Sequence, residues 1–271
     1  MHAKVNGVRI ACTDEGGGTP LLFIHGFPFN RTIWSRQVEA FKAKHRVIAP
    51  DLRGFGESEA TPGSVPMSLF AEDLHDLLTY LDAGPVTLVG HSMGGYAALA
   101  FAKAFPRDLG RLVLVGTKSG ADSPEAAAGR LALAQRVRTE GVSVMAPAFG
   151  PRMLSSGDPA LGAAVRASVG VLNPEGIIGA LLGMAERPDA AAWLAGIQAR
   201  TLVMVGADDE VIPPSESGAL SKAIPGARLV SIPNAGHLVA FERPDAFNEA
   251  LGEWLAATGE DEKASPGGSS R

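Results

Sequence analysis

Val86-Thr-Leu-Val-Gly-His-Ser-Met-Gly-Gly-Tyr-Ala-Ala-Leu-Ala-Phe-Ala102 carries three signals in one short stretch. Val86–Val89 is an apolar, β-branched run of the kind that forms a strand covered on both faces. From Tyr96 the alanine-rich run is a good helix former. Between them Gly90-His91-Ser92-Met93-Gly94 has the spacing G-x-S-x-G. A turn sharp enough to push a serine clear of a sheet crowds the positions two before and two after it, and side chains there would collide. The spacing alone is weak, because 18 serines and 33 glycines produce it by chance in about one chain in four. The strand before and the helix after give it weight.

Outward from this turn the same alternation recurs. Leu21–Ile24, Arg46–Ala49, Arg111–Val115, Thr201–Val205 and Arg228–Ile232 are further apolar runs that suit doubly covered strands. Val5-Asn6-Gly7-Val8 carries the Asn-Gly signal of a two-residue hairpin, so an antiparallel edge precedes the parallel strands. Met67, Phe70, Leu74, Leu77, Leu78 and Leu81 fall on one face of a helix, and Phe247, Leu251, Trp254 and Leu255 do so after Pro244. Strand and helix alternating predicts an α/β sheet flanked by helices. The alternation stops between about Lys118 and Arg200, where Ser123-Pro124 opens a helix and no strand pattern is found. That length is too great for a loop, so a helical insertion is expected. The expected division is a core of residues 1–117 and 201–258, a helical cap of 118–200, and a polar, Gly/Ser-rich disordered tail of 259–271.

Composition removes several functions. Of 271 residues, 46% are hydrophobic and 20% charged, which supplies a sizeable core. The net charge of −5 argues against a nucleic-acid partner, which a basic balance would announce. Cys12 is the one cysteine, so no internal disulfide or cysteine–histidine metal site is expected, and it reads as a small apolar strand residue. The N-terminus lacks a signal-peptide apolar run, and no stretch has the roughly 18 apolar residues of a membrane span. A soluble, cytoplasmic protein with no membrane association is expected.

A serine needs a base, and the base an orienting carboxylate. Five of the six histidines have plain readings: His2 and His45 on the surface, His75 within a helix, His25 bracing a loop, and His91 in the turn but pointing away from Ser92. His237 lies in a glycine-containing loop after the run Arg228–Ile232, and loops at the carboxyl ends of parallel strands are where open α/β sheets place their sites. Asp208 and Asp209 follow the run Thr201–Val205, which leaves either as the acid; Asp122 is a weaker alternative, and Asp51 precedes the serine in the wrong order.

His25–Pro28 (HGFP), Asp51–Ser58 (DLRGFGES), Gly90–Gly95 (GHSMGG), Gly206–Pro213 (GADDEVIP) and Gly236-His237 resemble, in this order, the motifs of the α/β-hydrolase fold superfamily. The resemblance runs from about Val8 to Ala257. It implies a mostly parallel eight-stranded sheet with helices on both faces and a helical cap. It puts the acid on Asp209, with Pro213 as the matching proline, and the oxyanion-hole N–H groups on Phe27 and Met93. It gives Asp51 and Arg53 a structural turn. Haloalkane dehalogenases and epoxide hydrolases carry aspartate where Ser92 stands, and the latter use cap tyrosines, whereas Tyr80 and Tyr96 lie outside the insertion. The sequence is most similar to the 3-oxoadipate enol-lactonase-like and cofactor-free haloperoxidase/esterase group, a likeness that Met184–Asp189 (MAERPD) shares. The implied activity is hydrolysis of small-molecule carboxylic esters or lactones by Ser92, His237 and Asp209, with water as co-substrate and no cofactor or metal. The alternatives are C–C bond hydrolysis of β-diketone-like substrates and a weakly catalytic ligand receptor. Phe149, Met153, Met184 and Trp193 are the candidate pocket residues; the cap arginines Arg130, Arg136, Arg138, Arg152 and Arg166 read first as solvated helix faces, and any of them is a candidate for a substrate carboxylate.

Overall fold

The computed structural model describes residues 1–149 and 151–264, without the side chains of 147–149, 151 and 258–264. Eight strands form one sheet: β1 (His2–Val5), β2 (Val8–Glu15), β3 (Pro20–Ile24), β4 (Arg46–Pro50), β5 (Val86–His91), β6 (Leu109–Val115), β7 (Arg200–Gly206) and β8 (Arg228–Ile232). Their spatial order is β1-β2-β4-β3-β5-β6-β7-β8. β2 pairs antiparallel with β1 and β4, and the remaining pairings are parallel. The β1–β2 hairpin turns at Asn6 (φ +45°) and Gly7 (φ +79°), left-handed at both positions as a two-residue type I′ turn requires.

The helices are α1 (Ser35–Phe41), α2 (Met67–Tyr80), α3 (Met93–Ala104), α4 (Pro124–Glu140), α5 (Pro159–Val169), α6 (Pro174–Ala185), α7 (Ala191–Leu194), α8 (Pro214–Ala223), α9 (Val239–Glu242) and α10 (Pro244–Ala264). Period-2 geometry divides each apolar strand between two cores. Leu21, Phe23, Val47, Val89, Val113 and Met204 face one way, toward Val38 and Phe41 of α1 and Phe247, Leu251 and Trp254 of α10. Leu22, Ile24, Ile48, Leu88, Leu112 and Val203 face the other, toward Phe70 and Leu74 of α2, Ala97 and Phe101 of α3, and Leu220 of α8.

Between β6 and β7 the described residues form helices and 3-10 turns and no strand. Three of these helices start alike, with a capping side chain followed by proline: Ser123-Pro124, Asp158-Pro159 and Asn173-Pro174. α6 docks backbone to backbone. A Cβ on Gly176 would run into the Gly54 carbonyl, and one on Gly183 into the Val65 carbonyl.

Two expectations need correction. Arg228–Ile232 is an edge strand rather than a doubly covered one, with Leu229 43% exposed: among the described residues nothing pairs beyond β8, and the flanking helices cover this end of the sheet only in part. α10 continues to Ala264, past the expected start of the tail at Gly259, since Glu260, Glu262, Lys263 and Ala264 are good helix formers. The rest of that tail, 265–271, lies outside the described residues. Among the described residues no single helix is long and apolar enough to cross a membrane.

Candidate active site

Ser92 sits between β5 and α3 with φ +51° and ψ −114°, a backbone region costly for any residue with a side chain. Its surroundings hold it there. The Ser92 N–H donates to the Val115 carbonyl at 2.9 Å, and the Ser92 carbonyl accepts from Thr117 Oγ1 at 2.9 Å and from the Gly95 N–H at 2.9 Å. A Cβ on Gly94 would lie 2.5 Å from the Ile24 carbonyl oxygen, and one on Gly90 would strike the Gly94 carbonyl, the crowding inferred from the sequence.

His237 follows β8 and brings its ring to the serine. Its Nε2 lies 3.0 Å from Ser92 Oγ, and its Nδ1 donates to Asp209 Oδ2 at 2.9 Å. Asp209 follows β7, and its other oxygen accepts the N–H groups of Val211 (2.8 Å) and Ile212 (2.9 Å). One carboxylate oxygen is thus fixed by backbone while the other faces the imidazole. His237 and Asp209 are 2% and 4% exposed, which strengthens the bonds between them. Asp208 is exposed. Asp122 instead pairs with Arg130, Arg187 and Lys118, and these cations hold its carboxyl low against the burial that pushes it up.

The Gly26–Phe27 turn lies against the serine, for a Cβ on Gly26 would be 3.1 Å from Ser92 Cβ. His25 braces that turn, with Nδ1 donating to the Gly26 carbonyl at 3.0 Å and Nε2 accepting the Leu52 N–H at 3.0 Å. Met93 opens α3, so its N–H is among those at a helix start that no preceding turn uses. His91 Nε2 donates to the His237 carbonyl at 2.9 Å. Burial, and then the neighbouring His237, push the His91 imidazole down to about 3, so it stays uncharged beside the base. Asp51 and Arg53 are buried in bonds to Arg31, Glu57 and Asp73, as a structural turn requires. His45 is half-buried against Phe41 rather than on the surface.

A cavity of about 740 Å³ opens over the serine, and Phe27, Ser92, Met153, Met184 and His237 line it. Trp193 does not. It lines a separate cavity of about 390 Å³, held by its Nε1 bond to the Leu99 carbonyl (3.3 Å) and by Lys103 over its ring. The Phe149 side chain lies outside the described residues. Sequence reasoning missed Tyr96, Lys118, Leu133, Leu181 and Ile212 in the cavity wall. A signal existed for α4, whose Ala126, Gly129, Arg130 and Leu133 meet the cavity at helical i, i+3, i+4, i+7 spacing. Of the cap arginines, Arg130 and Arg152 reach this wall, while Arg136 pairs with Glu140 on the surface.

Residues 19–244 match the sequence profile of the alpha/beta hydrolase fold. The chain belongs to the α/β-hydrolase fold family. This α/β hydrolase superimposes on a thermophilic esterase from Thermogutta terrifontis with a TM-score of 0.91 and 40% identity, covering 95% of this chain and 98% of that one. Against the enol-lactonase from Burkholderia xenovorans LB400 the TM-score is 0.87 and the identity 28%, over 94% and 100% of the two chains. A 2-hydroxy-6-oxononadienedioate/2-hydroxy-6-oxononatrienedioate hydrolase of Escherichia coli is 30% identical over 92% of this chain and 91% of its own length. Other curated relatives match only in part: the chain covers a third (33%) of the length of several.

Proposed function

We propose that this α/β hydrolase cleaves carboxylic esters or lactones through an acyl-enzyme on Ser92. The observation that carries the proposal is the unbroken relay Ser92–His237–Asp209, at 3.0 and 2.9 Å, on the wall of a cavity large enough for a small organic substrate. His237 takes the Ser92 hydroxyl proton as the oxygen attacks the carbonyl carbon. Asp209 holds the imidazole in the tautomer that leaves Nε2 free, and stabilises the imidazolium. The carbonyl electron pair moves onto oxygen, where the N–H groups of Phe27 and Met93 receive it, each worth roughly 10²–10³ in kcat. Collapse expels the alkoxide, which His237 protonates. Water, deprotonated by His237, then releases the acid and restores Ser92.

The name of the Escherichia coli relative, a hydroxy-oxo diacid hydrolase, supports a second reading in which the same three residues hydrolyse a C–C bond of a β-diketone-like substrate. A panel of p-nitrophenyl esters, lactones and β-diketones separates the two. Turnover of esters or lactones, lost in Ser92→Ala, is expected. Wild-type turnover by Ser92→Ala would remove the serine from the mechanism.

A further inference from the structure

Glu242, on α9, faces a set of donors that reaches both the His237 loop and the insertion. Its carboxylate is 7% exposed and accepts the N–H groups of Gly236 (2.7 Å) and Ser155 (3.1 Å) at Oε2, and the Ser156 N–H (2.9 Å) and Ser155 hydroxyl (3.3 Å) at Oε1. Gly236 immediately precedes His237. On the other side of the histidine, the Leu238 N–H donates to the Met153 carbonyl at 3.1 Å. The same stretch of the insertion touches the acid's loop, where Arg152 Nη2 donates to the carbonyl of Glu210 at 2.6 Å. The approach is close, for a Cβ on Gly236 would lie 2.6 Å from the Ser155 nitrogen.

We propose that Glu242 is a positioning residue for His237, and that residues Arg152–Ser156 of the insertion form the other half of its clamp. The clamp needs a carboxylate. An ionised carboxylate offers only acceptors, enough for all four donors, whereas an amide would turn its own NH₂ toward two of them. Burial pushes the Glu242 carboxyl up, but the N–H groups of Gly236, Ser156 and Ser155 outweigh it and hold the group below the ordinary glutamate value, so it is charged at neutral pH. Because Met153 also lines the cavity, the segment that meets a bound substrate is the segment that fixes the base. Base and cavity wall keep one register.

The proposal rests on the triad reading, and its test uses two readouts so that each can fail alone. In Glu242→Gln, kcat on the best ester falls about 10–100-fold with KM nearly unchanged, as a displaced base predicts. In the same variant the His237 Nδ1–H proton resonance, held by its bond to Asp209, broadens through exchange with solvent. Glu242→Asp, still acceptor-only but one methylene shorter, recovers part of both; it carries the test, with a smaller loss in the same direction, if the glutamine variant does not fold. A Glu242→Gln protein that keeps kcat and a sharp resonance while only its melting temperature drops would overturn the proposal. If the wild type shows no Ser92-dependent turnover, the hydrolase reading fails, and the resonance alone still decides whether Glu242 positions His237.

Discussion

α6 and α4 belong to the same insertion and wall the same cavity, yet they are held in opposite ways. In α6, eight of twelve residues are buried, and Gly176, Gly179 and Gly183 bring its backbone against Gly54 and Val65. The Val65 N–H even donates to the Gly179 carbonyl at 3.0 Å. α4 is longer, with seventeen residues, but buries only Ala134 and Val137. Little apolar burial means low local stability. Its additional tie is ionic, from Arg130 to Asp122, which also meets Arg187 and Lys118. One wall is locked to the core through main chain; the other packs along α6 and reaches the core through a few side chains. The difference teaches where selectivity can vary without cost to the fold: on α4, through Ala126, Gly129 and Leu133, while Arg130 is held by its tie to Asp122.

The largest effect leaves both walls untouched and sets the scale for reading them. Asp209→Asn lowers kcat about 10⁴-fold by freeing the wrong imidazole tautomer, while the exposed Asp208→Asn changes it little; steady-state ester hydrolysis measures both. Next comes the locked wall. Gly183→Leu forces a side chain into the Val65 backbone and costs about 1–3 kcal/mol of stability by urea denaturation. Equal insertion of bulk at Gly129, whose Cβ position is open, leaves stability nearly unchanged. If both glycine variants destabilise equally, the contrast between the helices is wrong.

Smaller effects fall on the loose wall. Leu133→Ala shifts the kcat/KM ratio between long- and short-chain acyl esters by about tenfold, the scale of a few methylenes in an apolar pocket. Acid separates the helices as well. Because the Asp122 carboxyl is held below its ordinary value of 3.8, its ion pairs stabilise the fold above that pH, and the stabilisation is lost as pH falls through the lowered value. Amide exchange in α4 should then quicken at low pH while α6 stays protected, and Asp122→Asn should quicken α4 already at neutral pH.

Much of this was legible along the chain because it depends on local rules. The strand–turn–helix around Ser92 needs two glycines for steric reasons that hold in any fold, and His237 and Asp209 announce themselves by following apolar runs. Continuous apolar runs also gave the sheet, and the Asn6-Gly7 turn its antiparallel edge, but not the edge at β8. Arg228–Ile232 looks like the interior strands, and only pairing shows that one of its sides is open. The cavity was harder to read. Trp193 and Met184 lie only nine residues apart, and the turn between α6 and α7 sends them to different cavities. Glu242 was invisible as a support, and His91 was legible as a structural residue of the turn but not by its partner, since the partners of both are mainly backbone groups distant in sequence, which residue types do not encode.

Covalent labelling with an alkyl fluorophosphonate tests the central claim most directly. One phosphonyl group per chain should add to Ser92, located by peptide mass spectrometry, and ester hydrolysis should disappear in step with it; His237→Ala should barely react. Full hydrolytic activity after stoichiometric labelling of Ser92, or a label that lands elsewhere as activity is lost, would contradict it.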